Sequence, residues 1–401
     1  MELSIADQAN QQMVDRLISE GALWSVPIIA AFRDTPRHCF LDRVFQYAQK
    51  SERWREVITR DPGREELRIV YSDRALITHL SAPHGQPEGV PTSSSSQPSL
   101  MAQMLEDLQL SPGQRVLEIG AGTGYNAALL AHIVGPKRVI AVDVDRDVLS
   151  EAWDHLRAYP ERGVELKHAD GRSGYSEAAP YDRIMVTAAT PDLEQAWMDQ
   201  LADKGLLLAP LALAPGLAYL VRGGMKEGVF QGRLTRAAYF MTLRTEGEGG
   251  SYEVYPDLPK GEWTKVPAPW ARWFDRRRPR INWLGFIQSL AFYGWLRGFA
   301  VHYQVQQNNQ PCFGLSDPDR RLLCWFGSQH WQVIGEDSRR FGWDLWRDFL
   351  DAGGPWPTEF HLKVSPKGGL QASGPNSFLR QGPRCQQLWQ LMEQRERPAW
   401  I

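Results

Sequence analysis

Cysteine is scarce in this sequence: Cys39, Cys312, Cys324 and Cys385 are scattered through 401 positions with no C-x-x-C spacing. That arrangement excludes a zinc ribbon or a disulfide framework and predicts buried free thiols. The nine histidines form no H-x-x-x-H or H-x-E pattern that would set two ligands on one face, so no metal is expected. A surplus of charge is missing as well. The 45 Lys and Arg against 47 Asp and Glu leave a net charge of −2, which gives no general attraction to nucleic acid or to an anionic membrane. No uninterrupted apolar run has the roughly 18 residues of a membrane span. The opening MELSIADQANQQMVDRL lacks a basic stretch followed by an apolar one. Neither a span nor a signal peptide is expected, and a cytoplasmic location is.

What is present describes an ordinary globular chain, with 43% apolar and 23% charged residues. The length suggests two domains at about 150 residues each. A composition break places them: 12 of the 16 tryptophans lie after residue 245, beyond EGEGGSYE and YPDLPKGEWTKVPAPW. The expected division is 1–245 and 260–401. In the second part, INWLGFIQSLAFYGWLRGF reads as an apolar helix, followed by strands AVHYQVQ, PCFGLSD, RLLCWFG and HWQVIG. A helix FGWDLWRDFLDAG and EFHLKVSP complete a small α+β domain with an antiparallel sheet, expected to grip a polypeptide or form a dimer contact. RWFDRRRPRINW (272–283) mixes arginine with aromatics, a pattern seen in nucleic-acid contacts but more often in a solvated linker; nucleic acid is not the expected partner.

Residues 115–125, RVLEIGAGTGY, start as a short apolar run and end in Gly120, Gly122 and Gly124, ahead of the helix-forming NAALLAHIV. The glycines fall on a strand-to-helix turn, where the chain bends tightly and a ligand can approach the backbone. A dinucleotide loop, G-x-G-x-x-G, needs glycine or alanine where Tyr125 stands, and it holds a pyrophosphate. Here the form is Glu118-x-Gly120-x-Gly122-x-Gly124, similar to the S-adenosylmethionine loop of Rossmann-like methyltransferases. A carboxylate that would repel phosphate suits that cofactor's ammonium and sulfonium. RVIAVDV then carries Asp143, 19 positions beyond Gly124, where a carboxylate can accept both ribose hydroxyls. VELKHAD ends in Asp170, followed by Gly171, placed to reach the adenine edge. YDRIMVTAA, DLEQAWMDQL and GLLLAP continue the alternation. The expected fold is α/β, a Rossmann-like class I S-adenosylmethionine-dependent methyltransferase with a doubly wound, mostly parallel sheet and a smaller C-terminal α+β domain. Each acid taken singly has a plainer role: Asp143 as a helix N-cap, Asp170-Gly171 as a turn, Glu118 as a solvated strand end.

These runs, with others in the same order, resemble the protein-L-isoaspartate O-methyltransferase family. The matches are MVDRLISEG (13–21), TPRHCF (35–40), SSQPSLMAQMLEDL (95–108), VLEIGAGTGYNAALLA (116–131), HADGRSGY with APYDRIMVTAATP (168–191) and DQLADKGLLLAPL (199–211). The glycine loop is common to methyltransferases; the S-Q-P helix start and the DGRxGY and AAxP runs are particular to this family. The resemblance implies S-adenosylmethionine as cofactor and, as substrate, the free carboxylate of an isoaspartyl or D-aspartyl residue in a protein or peptide. The methyl ester then collapses to a succinimide without the enzyme. It implies catalytic roles for Ser96 and Ser94, which match the serine and threonine of the family's T-I-S-Q-P. Substrate contacts would come from Ser96, Gln97, Thr187 and Ala188, and cofactor contacts from Glu118, Gly120, Gly122, Gly124, Asp143, Asp170 and Gly171.

Four consecutive serines, in TSSSSQPSLMAQML (92–105), follow a Gly- and Pro-rich run and could form a loose tether. Leu100, Met101, Met104, Leu105 and Leu108 recur at helical spacing, however, so the expectation is a loop pinned at the start of a buried helix over 97–108. Ser96 could cap that helix, orient a carboxylate, or do both. HLSAPHGQ (79–86) offers a competing serine, Ser81, but the glycines and proline that follow make a poor helix start. Two departures from the family pattern bear on substrate choice: Ser95 replaces an apolar middle residue, and residues 45–78 add charged sequence, both expected near the substrate cleft. A carboxylate with a pKa of about 4 is already ionised, so methyl transfer to it needs no general base. Other readings stay open: dedicated modification of an aspartate in a ribosomal peptide, a non-catalytic cofactor-binding recognition module, and a nicotinamide-dependent oxidoreductase.

Overall fold

Ser4 starts the first helix through a reciprocal cap: its hydroxyl accepts from the Asp7 amide at 3.1 Å and the Asp7 carboxylate accepts from the Ser4 amide, fixing α1 (Ile5–Ser19). After α2 (Val26–Arg33) and a 3-10 turn (Arg37–Phe40) come β1 (Arg43–Ala48), β2 (Arg53–Ile58), α3 (Arg64–Val70), β3 (Leu76–Ser81) and β4 (Val90–Ser95). The four strands form an antiparallel sheet in the order β2-β1-β3-β4. The charged insertion of the sequence reading thus holds a hairpin, and the serine run is a strand rather than a loop. Serine has little strand preference of its own; pairing with β3 confers it. This computed structural model describes residues 4–48, 53–81, 89–246, 248, 262–271, 283–305, 311–317, 322–327, 330–334 and 337–393. The arginine–aromatic run at 272–282 and the linker at 249–261 lie outside them.

Next come α4 (Pro98–Asp107), β5 (Val116–Ile119), α5 (Tyr125–Val134), β6 (Val139–Asp143), α6 (Arg146–Leu156), β7 (Glu165–His168), β8 (Tyr181–Val186), α7 (Gln195–Asp199) and β9 (Leu201–Ala214). β5 pairs in parallel with β6 and β8, β6 with β7, and β8 with β9. The spatial order 7-6-5-8-9 is that of a doubly wound sheet, with its topological switch between β5 and β8. Every residue of β5 is buried, as expected of a strand covered on both faces. In α6, Val148, Leu149, Ala152 and Leu156 form a buried stripe while Trp153 on the other face is 56% exposed. Burying such aliphatic side chains stabilises the fold by about 1.5–3 kcal/mol each.

The chain divides into two units. One comprises Met1–Pro210, Arg222–Met225 and Ala238–Tyr252; the other comprises Leu211–Val221, Lys226–Ala237 and Glu253–Ile401. The division at residue 245 read from composition differs at 211–221 and 226–237. Those segments sit early in sequence, yet they are assigned by contacts with residues far downstream, which composition does not register. Within the second unit, β11 (Val229–Ala237), β17 (Phe360–Ser365), β19 (Gln386–Leu391) and β18 (Ser377–Gln381) pair antiparallel in that order. A second antiparallel sheet has the order β12-β16-β15-β14-β13, from β12 (Thr264–Pro267), β13 (Ala300–Val305), β14 (Pro311–Asp317), β15 (Leu322–Trp325) and β16 (His330–Ile334). The sequence reading did not foresee β10 (Leu217–Lys226), β11, β18 or β19.

Tryptophans make the core of this unit: Trp270 has edge contacts with Phe326, Trp331 and Trp346. A Cβ built on Gly342, in the helix Ser338–Asp351, would fall 1.4 Å from the Trp331 ring. Alanine would otherwise favour the helix by about 1 kcal/mol. Overpacking against a ring that is 1% exposed outweighs that gain. Gly342→Ala is therefore expected to lower stability by about 1–3 kcal/mol, read from denaturant unfolding. An unchanged or raised midpoint would contradict the packing. All four cysteines are free, three buried and Cys39 half-buried. Among the described residues no helix is long and apolar enough to cross a membrane.

Candidate active site

Within the first unit a cavity of about 260 Å³ opens at the carboxyl ends of β5, β6 and β8, the place where an open α/β sheet binds its ligand. It gathers Ser94, Ser96, Gln97, Glu118, Gly120, Gly122, Asp143, Gly171, Thr187 and Ala188. Gly124 and Asp170 are not among its lining residues. Gly124 has φ +79° at the N-cap of α5 and packs against α6, so its part is to make the turn. The Asp170 carboxylate accepts from the Arg172 amide at 2.9 Å and caps a short 3-10 turn. Segment 239–244 supplies a further wall, tied to the end of β8 by Ala189 N to Met241 O and Leu243 N to Ala189 O, both 2.8 Å.

The glycine loop is as tight as its sequence suggests. Gly120 has φ +96°, and a Cβ there would lie 2.5 Å from Thr187 Oγ1. A Cβ on Gly122 would lie 3.6 Å from the Ser94 carbonyl, so strand β4 passes directly against the loop. Along that strand Ser93 and Ser95 are buried, while Ser94 and the following Ser96 are half-buried. That alternation is the strand period, and it turns one pair of hydroxyls inward. Ser96 does not cap the helix: the N-cap of α4 is Gln97, which makes no side-chain cap bond. Ser81 pairs with Val90 at the opposite end of β4.

Glu118 is 1% exposed, not a solvated strand end. Its Oε1 accepts from Asn126 Nδ2 at 2.7 Å, and its Oε2 has no partner. Burial pushes this carboxyl up to about 8; the Asn126 hydrogen bond opposes the shift and the nearby Asp143 adds to it. Asn126 Oδ1 is likewise buried without a partner and also lines the cavity. Asp143 is not the cap of α6, a role taken by Asp145, whose carboxylate accepts from Asp147 N and Val148 N. The Asp143 oxygens accept from the Gly122 amide at 3.0 Å and the Asp145 amide at 3.1 Å. Burial raises its pKa, against those two amides.

Two orphaned buried acceptors beside a second carboxylate call for donors and positive charge, and they would repel a phosphate. The site therefore suits the ammonium, sulfonium and ribose hydroxyls of S-adenosylmethionine and not the pyrophosphate of a dinucleotide. Sequence reasoning passed over two lining residues, Asn126 and Arg244, and two that hold the serine segment from outside the cavity, Arg37 and Asp73. Asn126 carried a local signal, a polar residue on an otherwise apolar helix. Arg37, Asp73 and Arg244 carried none, because their partners lie far along the chain; Arg244 Nη2, for instance, donates to Thr92 O at 2.9 Å.

The family described as protein-L-isoaspartate(D-aspartate) O-methyltransferase (PCMT) matches residues 68–246. A protein-L-isoaspartate O-methyltransferase of Methanoculleus marisnigri is 33% identical over 211 residues, 53% of this chain and 80% of that protein. Protein-L-isoaspartate O-methyltransferase 1 of Marinobacter nauticus is 34% identical over 204 residues, 51% of this chain and 78% of the relative. A solved structure bearing the name protein-L-isoaspartate O-methyltransferase has a TM-score of 0.51 at 22% identity, covering 90% of this chain and 97% of its own. That last likeness concerns the fold, and at 90% it reaches past the residues that the family description matches. With 80% of a one-third-identical relative covered, and the family description spanning residues 68–246 around the cavity just described, the chain belongs to the protein-L-isoaspartate(D-aspartate) O-methyltransferase family.

Proposed function

We propose that this chain is a carboxyl O-methyltransferase that esterifies isoaspartyl residues of proteins or peptides, using S-adenosylmethionine. The observation that carries the reading is the approach of β4 to the glycine loop, with Ser94 and Ser96 lining the same cavity as Glu118 and Asp143. The comparisons lend no support to the dedicated-peptide or non-catalytic alternatives. Glu118, Asn126, Asp143 and the amides of the glycine loop would hold the cofactor, which supplies a methyl group activated on a sulfonium.

The chain's own residues have little proton chemistry to do. An isoaspartyl carboxylate is ionised at neutral pH, and among the described residues no His, Lys or Cys lines the cavity. Ser96 donates a hydrogen bond that orients the carboxylate, and Ile77, Leu100 and Met101 keep water from it. Joining an anion to a cationic centre removes charge, so a dry cavity favours the step over bulk water. In the resulting ester, the backbone nitrogen of the next residue attacks the carbonyl and expels methanol, closing a succinimide without further help.

The test is methyl transfer to two peptides differing only in aspartate against isoaspartate. Transfer to the isoaspartyl peptide at least about tenfold faster is expected; equal rates, or none to either with the cofactor bound, would overturn the reading. Ser96→Ala should lower kcat by about tenfold, the worth of one hydrogen bond to a charged group, with cofactor affinity unchanged. Undiminished turnover would remove Ser96 from the mechanism.

A further inference from the structure

Arg37 is fully buried, and its guanidinium meets no carboxylate at hydrogen-bond distance among the described residues. Nη1 donates to Val70 O at 2.8 Å and Ser72 O at 3.2 Å. Nη2 reaches Arg74 O at 3.2 Å, Ser95 O at 3.2 Å and Ser96 O at 2.9 Å. Nε donates to Ser95 Oγ at 3.3 Å. Five N–H groups thus serve six acceptors from two stretches of chain more than twenty positions apart. Part of the charge is met by the carbonyl end of α3, where Arg16 Nη2 also binds Tyr71 O at 3.0 Å. Removing a cation from water still costs several kcal/mol, so this placement is not explained by stability alone.

The same turn holds the start of α4 from its other side. Asp73 lies between Ser72 and Arg74, and its carboxylate accepts from Ser99 N, Ser99 Oγ and Gln97 Nε2, each at 2.8 Å. Gln97 has no cap bond of its own, so Asp73 satisfies the first turn of α4 in its place. Ser96, which lines the cavity, is therefore fixed by its carbonyl on one flank and by its neighbours' side chains on the other. Ser95, where the sequence departs from the family's apolar residue, supplies the acceptor for Arg37 Nε.

We infer that the turn at 70–74, clasped by Arg37 and carrying Asp73, sets the position of Ser96 against the glycine loop, which makes Arg37 a positioning residue for methyl transfer. This rests on the reading of Ser96 as the group that orients the carboxylate.

Arg37→Lys keeps the charge, but a single ammonium cannot span both sets of carbonyls. It is expected to lower kcat on the isoaspartyl peptide by about tenfold, in line with the cost of a small misplacement, while S-adenosylhomocysteine affinity by calorimetry stays within about twofold. Amide exchange at residues 96–99 should quicken. Ser95→Ala removes one acceptor and leaves five carbonyl bonds, so it folds even where Arg37→Lys does not; about a threefold loss in kcat is expected, again without change in cofactor affinity. Unchanged exchange with kcat within twofold of wild type, or a parallel fall of kcat and cofactor affinity, would overturn the inference. Wild-type protein that binds the cofactor but leaves the isoaspartyl peptide unmethylated would refute the reaction instead, and the exchange rates of the variants would still decide the role of Arg37.

Discussion

Gly120→Ala is expected to weaken S-adenosylhomocysteine binding by about a hundredfold or more, because two separate penalties fall on one residue. The φ of +96° lies where an L side chain is strained by about 1–3 kcal/mol. The new Cβ would also meet Thr187 Oγ1 at 2.5 Å. That hydroxyl cannot move freely, since it sits 2.9 Å from Ile119 O and 2.7 Å from Gly120 O. With the threonine held and β5 buried on both faces, the loop itself must shift, and cofactor affinity records the shift. A combined cost on the order of 3 kcal/mol corresponds to the hundredfold loss. Gly122→Ala is the comparison: its φ of +50° is left-handed, costing about 1–2 kcal/mol. Its Cβ finds only the Ser94 carbonyl at 3.6 Å, an ordinary contact. About a tenfold loss is expected there. Adding Thr187→Ala to Gly120→Ala should recover the steric part of the loss and leave the torsional part. Calorimetry showing Gly120→Ala within fivefold of wild type would mean that this loop does not hold the cofactor.

The features legible in the sequence are those whose cause is local. A strand ending in alternate glycines bends where it must, and the order of β5, β6 and β8 follows from their apolar runs. The identity of the acids was legible too, but not their surroundings. Nothing near Glu118 in sequence says that it is buried; that follows from its place in the central strand β5 and from Asn126, the second residue of α5, packed against it. Asp143 looked able to cap α6, but Asp145 takes that role, and the Gly122 amide donates to Asp143 instead. The serine run lacked β-branched and aromatic residues, so its strand character appears only through its register with β3, Ser94 opposite Ile77 and Ser95 opposite Leu76. Arg37 joins partners 33 to 59 positions away, and no local pattern encodes such a bridge. The same reason hid the second unit's claim on residues 211–221 and 226–237.

Cofactor affinity is expected to rise about fiftyfold between pH 6 and pH 8, and Glu118→Gln to flatten that dependence. Burial holds the Glu118 carboxyl at about 8 in the free protein, with Asp143 adding to the shift and the Asn126 donor opposing it. Between the ordinary glutamate range and that value the folded chain keeps a proton the unfolded chain has lost, so the stability of the free protein falls as pH rises through this window. A cation entering the cavity reverses the preference, because it favours the ionised form beside it. Binding at pH 6 must then expel the proton, and the apparent dissociation constant scales with the inverse of the ionised fraction, about 1% at pH 6 and about half at pH 8. Asp143 is likewise raised by burial, against the amides of Gly122 and Asp145 and the charge of Arg244. Calorimetry in two buffers of different ionisation enthalpy should show close to one proton released per cofactor at pH 6, falling to about half at pH 8. Glu118→Gln preserves the volume and the contact with Asn126 but has no proton to release, so its affinity should stay near the wild-type value at pH 6 throughout. A wild-type affinity that is flat from pH 6 to 8, with no proton release, would show that no positive group of the cofactor comes to rest beside Glu118.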